Sequence, residues 1–130
     1  MMNRSFKFVD DALNRCLIVL LKKAKAKCRV GRGGVIHYSS KDVEFIENEL
    51  ICHVRDSVFP SWQLVSCPAD WIDVYKQYII THQVPCREEL ANSKLWFLIP
   101  RSYRPHAWKL EKTDAFLKIY QARCREHNLL

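Results

Sequence analysis

The segment over residues 94–110 constrains the fold more than any other stretch of the chain. It holds five consecutive large apolar residues, Leu95, Trp96, Phe97, Leu98 and Ile99, closed by Pro100. Five such side chains cannot all be solvated, and a run this short bounded by proline predicts a strand buried on both faces. Arg101, Ser102, Tyr103, Arg104, Pro105 and His106 follow directly. The expected arrangement is a core strand that presents a basic, aromatic loop at its end.

Helix and strand signals alternate through the rest of the chain. Residues 6–28 read as an amphipathic helix, because Val9, Leu13, Cys16, Leu17, Leu20, Leu21 and Ala24 recur at spacings of three and four. Asp10 and Asp11 near its start and lysines at its end suit the helix dipole, and Gly31 is the expected stop. A strand is expected over residues 35–38, then a helix over 41–58 capped by Ser39 and ended by Pro60. Its apolar stripe is Val43, Ile46, Leu50, Val54 and Val58. A short strand over 63–67 precedes a third helix opened by Pro68, with Trp71, Val74, Tyr75 and Tyr78 on one face and Val84 and Pro85 as its stop. A short helix over 86–91 leads into the central strand, and Thr113 caps a last helix in which Phe116, Ile119, Tyr120 and Cys124 share a side. Two strand-helix-strand passes permit parallel pairing, while the short connection after Ile99 permits a hairpin. The expected fold class is therefore α+β: a small mixed β-sheet covered by about four to five helices, in a single domain.

Composition narrows the setting. A chain of 130 residues suits one domain, and 48% hydrophobic with 27% charged residues excludes a disordered polymer. The longest apolar run, residues 16–21, falls far short of the roughly 20 residues that span a bilayer. The lysines after it do not form a signal-cleavage site. A soluble, cytoplasmic protein without membrane contact is expected, its six cysteines reduced. No Cys-x-x-Cys pair occurs, which removes the strongest zinc and redox signatures, and no cofactor is expected.

The net charge of +7 is unevenly distributed: residues 1–34 carry +7, residues 35–98 carry −4 and residues 99–130 carry +4. Basic ends around an acidic middle predict one electropositive face, provided the ends converge. Lys22, Lys23, Lys25, Lys27 and Arg29 place five cations in eight positions, more than helix capping requires. With Arg32 they form a candidate phosphate-contacting patch. Gly31, Arg32, Gly33 and Gly34 do not make a phosphate-binding loop, because a helix precedes them and a strand follows. They are expected to be a flexible connection.

Three functions fit these residues. The first is binding of DNA or RNA, or service in a nucleic-acid-handling complex, without catalysis. Arg101, Tyr103, Arg104 and His106 would contact phosphates and stack on bases, supported by Lys22, Lys23, Lys25, Lys27, Arg29 and Arg32. The second is an inhibitor or adaptor, of the kind that phage and mobile elements encode, docking an acidic protein surface with the same loop. The third is a metal-independent ribonuclease, with His106 as acid or base and Arg101 on the scissile phosphate. The spacing of Arg101 and His106 is similar to the Arg and His of the HEPN ribonucleases. That fold is all-helical, whereas these two residues follow a strand, so no family is assigned. A metal alternative pairs His82 with Cys86 and Cys124 with His127, four side chains that could complete a tetrahedral zinc site.

Overall fold

The computed structural model describes residues 2–66, 69–103, 121–122 and 125. Its framework is one six-stranded sheet in the order β2-β3-β1-β5-β6-β4, with every neighbouring pair antiparallel. The strands are β1 (Arg4–Phe8), β2 (Cys28–Val30), β3 (Ile36–Tyr38), β4 (Trp62–Ser66), β5 (Arg87–Ala91) and β6 (Lys94–Pro100). Among the described residues there are three helices, α1 (Asp11–Lys23), α2 (Cys52–Val58, entered through a π-helical stretch, Glu44–Ile51) and α3 (Ile72–Thr81).

This corrects the expected mixed sheet under four to five helices. One strand, β5, lay inside a helical reading, and β1 and β2 overlap the two ends of another. Arg4-Ser5-Phe6-Lys7-Phe8 alternates polar and apolar residues with the period of a strand, and Phe6 and Phe8 are both buried. Helix α1 begins only at Asp11, where the Asp10 carboxylate accepts from the Leu13 amide at 3.0 Å. It ends well before Gly31. Lys25 adopts a left-handed conformation (φ 54°), and the Ala26 amide donates back to the Leu21 carbonyl at 3.0 Å. That turn releases the chain into β2. Arg87-Glu88-Glu89-Leu90-Ala91 has good helix formers, but it pairs with β1 on one side and β6 on the other. A two-residue turn at Asn92 and Ser93, both at positive φ (52° and 66°), closes the β5–β6 hairpin. Tertiary pairing overrides local propensity there. The last helix expected after Thr113 lies outside the described residues except for Gln121, Ala122 and Arg125, which are helical.

Strand alternation sorts the side chains onto two faces. On the first face Phe6, Phe8, Ile36 and Tyr38 pack with Leu17 and Leu21 of α1, Ile46, Leu50 and Ile51 of the π-helical stretch, and Val54 of α2. On the second face α3 places Val74, Tyr75 and Tyr78 against Phe97 and Ile99 of β6. Phe97, Leu98 and Ile99 are consecutive and all buried, so β6 is covered on both sides as its sequence demands. Among the described residues the first face carries α1, the π-helical stretch and α2, with Arg55 of α2 reaching Glu89 of β5. The second carries α3 over β6 and β4. No described helix is long and apolar enough to cross a membrane.

Candidate nucleic-acid interface

Among the described residues, the half of the second face that α3 leaves bare is made by β1, β3 and β2. Pairing sets Arg29 opposite His37 and His37 opposite Ser5, which puts one residue from each strand in a row across the sheet. Lys7 stands two residues further along β1 on the same side, since Phe6 and Phe8 face the helices. Arg29 is exposed, and His37 and Lys7 are half-buried. Lys27, just before β2, is exposed as well. None of the three strands contains a carboxylate. The next strand, β5, contributes Glu88 to this side, and Lys76 of α3 engages it at 3.5 Å. The result is a cationic sheet surface with α3 standing along one side. A groove of about 760 Å³ lies at that boundary, walled by Ile72, Lys76, Leu90 and Leu95.

The glycine-containing turn between β2 and β3 closes the end of this surface and is conformationally determined. The Gly31 amide donates to the Val35 carbonyl at 2.7 Å. Gly33 and Gly34 both take positive φ (70° and 80°), which L side chains rarely adopt. A Cβ on Gly34 would sit 2.8 Å from the Asn14 amide nitrogen. Buried Asn14 donates to the Gly34 carbonyl at 2.8 Å and accepts from the Phe8 amide at 3.0 Å. One side chain therefore ties α1, the end of β1 and the turn together. The turn carries exposed Arg32 directly after Gly31, where a Cβ would lie 3.0 Å from His37 Nε2.

The structure brings only part of the anticipated set together. Lys22 and Lys23 are exposed in the last turn of α1, and Lys25 and Lys27 lie in the connection to β2. Arg29 and Arg32 belong to the bare sheet face and its turn. Arg101 lies in a single 3₁₀ turn after β6, its amide bonded to the Ser61 carbonyl at 2.9 Å and its guanidinium 3.4 Å from the Trp62 carbonyl. Strand β6 is four places from β2 in the sheet, roughly 19 Å at ordinary strand spacing. The pairing registers also put Pro100 at the end of the sheet where the glycine turn lies, and the 22–27 lysines at the other end. The two basic groups do not meet. Tyr103 packs into the cluster beneath α3, and Arg104 and His106 lie outside the described residues.

Lys7 and His37 went unnoticed in the sequence, Lys7 absorbed into a helix and His37 into an isolated strand. The polar-apolar alternation of residues 4–8 was the signal that could have found Lys7. The metal alternative gains nothing here. His82 is exposed, with its ring 4.3 Å from that of Tyr78. Burial pushes the Cys86 thiol up to about 12, opposite to what a zinc-binding or nucleophilic thiolate requires. Cys124 and His127 lie outside the described residues, and no three His, Cys, Asp or Glu side chains gather among the described ones.

Other charged groups are already spent on one another. Arg55 of α2 donates to both oxygens of Glu89 at 2.9 and 2.7 Å, and its guanidinium lies 5.1 Å from the Trp62 ring and 5.7 Å from the Phe6 ring. Arg4 donates to Glu47 at 3.2 Å. These cations face the first side of the sheet and are neutralised, so among the described residues Lys7, Arg29, Lys27 and Arg32 are left for an anion at the second face of β1, β3 and β2. Compared with family models, curated proteins and solved structures, the chain matches none.

Proposed function

We propose that this chain binds the phosphate backbone of nucleic acid, without catalysing a reaction, through the bare sheet face of β2, β3 and β1. The observation that carries the reading is the charge pattern of that face: Arg29, His37 and Lys7 on three adjacent strands that contain no carboxylate. Lys27 and Arg32 extend the track at its two ends. The strand aromatics Phe6, Phe8 and Tyr38 point into the core, so among the described residues the face offers phosphate contacts rather than a stacking platform. Binding of this kind positions a backbone without reading its sequence. A cytoplasmic location would give such a surface access to DNA or RNA.

One observation favours a second reading, an adaptor for an acidic protein surface. The groove beside the cationic face carries Ile72, Leu90 and Leu95, apolar area that a phosphate backbone does not use but a protein interface does. The ribonuclease reading has no comparable support, because Arg101 lies apart from the cationic face.

The test is binding of labelled duplex and single-stranded oligonucleotides across a salt series. Four backbone-contacting cations give a log-log slope of about −3.6 on duplex DNA. Arg29→Ala and Lys7→Ala each flatten that slope by about one, while Arg101→Ala leaves it unchanged. No binding at low salt, or binding indifferent to Arg29 and Lys7, overturns the proposal. Saturable binding to an acidic protein but not to either oligonucleotide would select the adaptor.

A further inference from the structure

A second cleft opens at the C-terminal end of α3. Ile72, Lys76 and Ile79 recur at spacings of four and three, so they share one side of the helix, the side turned toward β5 and β1. The Lys76–Glu88 pair borders the groove already described and also this cleft, which lies between the helix end and the start of β5. Its volume is about 610 Å³, inside the roughly 300–1,000 Å³ of small-molecule sites. Val9, Ile79, Ile80, Val84, Pro85 and Phe97 make its apolar walls. At the mouth Ile80 is 76% exposed and Val9 40%, apolar area that the core does not use. Strand β4 and the 3₁₀ turn that touches it lie beyond the opposite side of the helix.

The rim is set by the fold. The Gln83 amide donates to the Ile80 carbonyl at 3.2 Å and the Val84 amide to the Ile79 carbonyl at 3.0 Å, the paired bonds that close a helix through a left-handed residue. That residue is Gln83, at φ 52°, where glycine would be easier. Pro85 stiffens the chain just after it. On the facing side, Asp10 is held by capping α1 through the Leu13 amide.

The polar groups of the mouth have donors to spare. Arg87 lies 4.0 Å from Asp10 and Lys76 3.5 Å from Glu88, so both pairs are loose. Asp10 already accepts from Leu13 with its other oxygen. Arg87 commits Nη1 to the Cys86 carbonyl at 2.9 Å, yet its side chain is still 46% exposed. The net charge of +7 favours an anion further.

We propose that this cleft binds a small organic carboxylate with an apolar tail, of the fatty-acid class. The carboxylate lies between Lys76 and Arg87, and the tail runs along Ile79, Val84 and Phe97. A bare inorganic anion would leave the walls unused, and an uncharged tail would leave the donors unused. The site does not depend on what the cationic strand face binds.

Decanoate, kept below its micelle concentration, is the probe, titrated into the full chain while methyl resonances are followed by NMR. Saturable shifts centred on Val9, Ile79, Ile80 and Val84 are expected, with decanol binding at least ten-fold more weakly. Arg87→Gln should weaken decanoate about ten-fold, the loss of a charge-assisted hydrogen bond. Lys22→Gln, which removes the same charge elsewhere, should not. Ile80→Asp alters a side chain outside the core and should abolish binding with far-UV dichroism retained. No saturable shift, or equal affinity for decanol, overturns the proposal. So does binding to phosphatidylglycerol vesicles without binding to monomeric decanoate.

Discussion

Glu89 is 1% exposed between Phe8 of β1 and Trp96 of β6, and it keeps its place only because Arg55 reaches down to it from α2. Burial pushes its carboxyl up while the guanidinium pulls it back. Such a pair adds little net stability, yet removing one member leaves a buried, uncompensated charge. Arg55→Ala should therefore cost about 3–5 kcal/mol in denaturant unfolding, whereas the double change Arg55→Met with Glu89→Leu should be close to neutral. Tyr38 shows the same physics in an acid that loses its proton only at high pH. Burial and the nearby Glu47 carboxylate push its hydroxyl up to about 12, above the roughly 10 of an unfolded tyrosine. The folded state holds this proton more tightly, so the stability it contributes is complete below pH 10 and is lost as pH climbs toward 12. A loss of about 2 kcal/mol across that window, absent in Tyr38→Phe, is the expected outcome of unfolding curves read against pH. Ultraviolet absorbance should show Tyr38 ionising late, a step missing from Tyr38→Phe.

At the scale of elements, the turn between β2 and β3 holds the cationic face to the helical layer. The sequence suggested a loose connection, because glycines usually mean freedom. Here two of them supply positive φ, and the missing Cβ of Gly34 makes room for Asn14. Gly34→Ala combines left-handed backbone strain with a contact at 2.8 Å and should destabilise the fold by about 1–3 kcal/mol. Crowding Asn14 also loosens the ends of β1 and α1, so amide exchange at Phe8 and Gly31 should rise with it. The helix boundaries teach a related lesson. Phe6 and Phe8 satisfy a strand pattern and also border a helical one, and the Asp10 cap decides where one yields to the other. Residues 87–91 would be helical by propensity alone. Only the Asn92 and Ser93 turn and the flanking strands make them β5.

For the whole molecule, the position of a cation matters more than the total. Lys22 and Lys23 carry as much charge as Lys7 and Arg29 but lie at the end of α1, on the helix-bearing side. Replacing both with Gln should reduce nucleic-acid affinity several-fold less than replacing Lys7 and Arg29, at equal net charge, in the same anisotropy assay. By itself the sequence determined that residues 95–99 form a buried strand, though not that it lies one place from the sheet edge, along with the helical character of the 41–58 and 68–83 regions and the uneven charge, because burial and periodicity are local demands that any compact fold must meet. It also marked Arg29 and Arg32 as cations beyond what a helix end needs. Only the tertiary structure decided which strands neighbour one another, that all run antiparallel, and that Arg101 stands four strands away from β2. Side-chain alternation tells a strand which residues share a face, but not which strand lies beside it or which half of a sheet a helix will cover. That choice sets Lys7 beside His37 and Arg29, and it comes from long-range packing that no local pattern encodes.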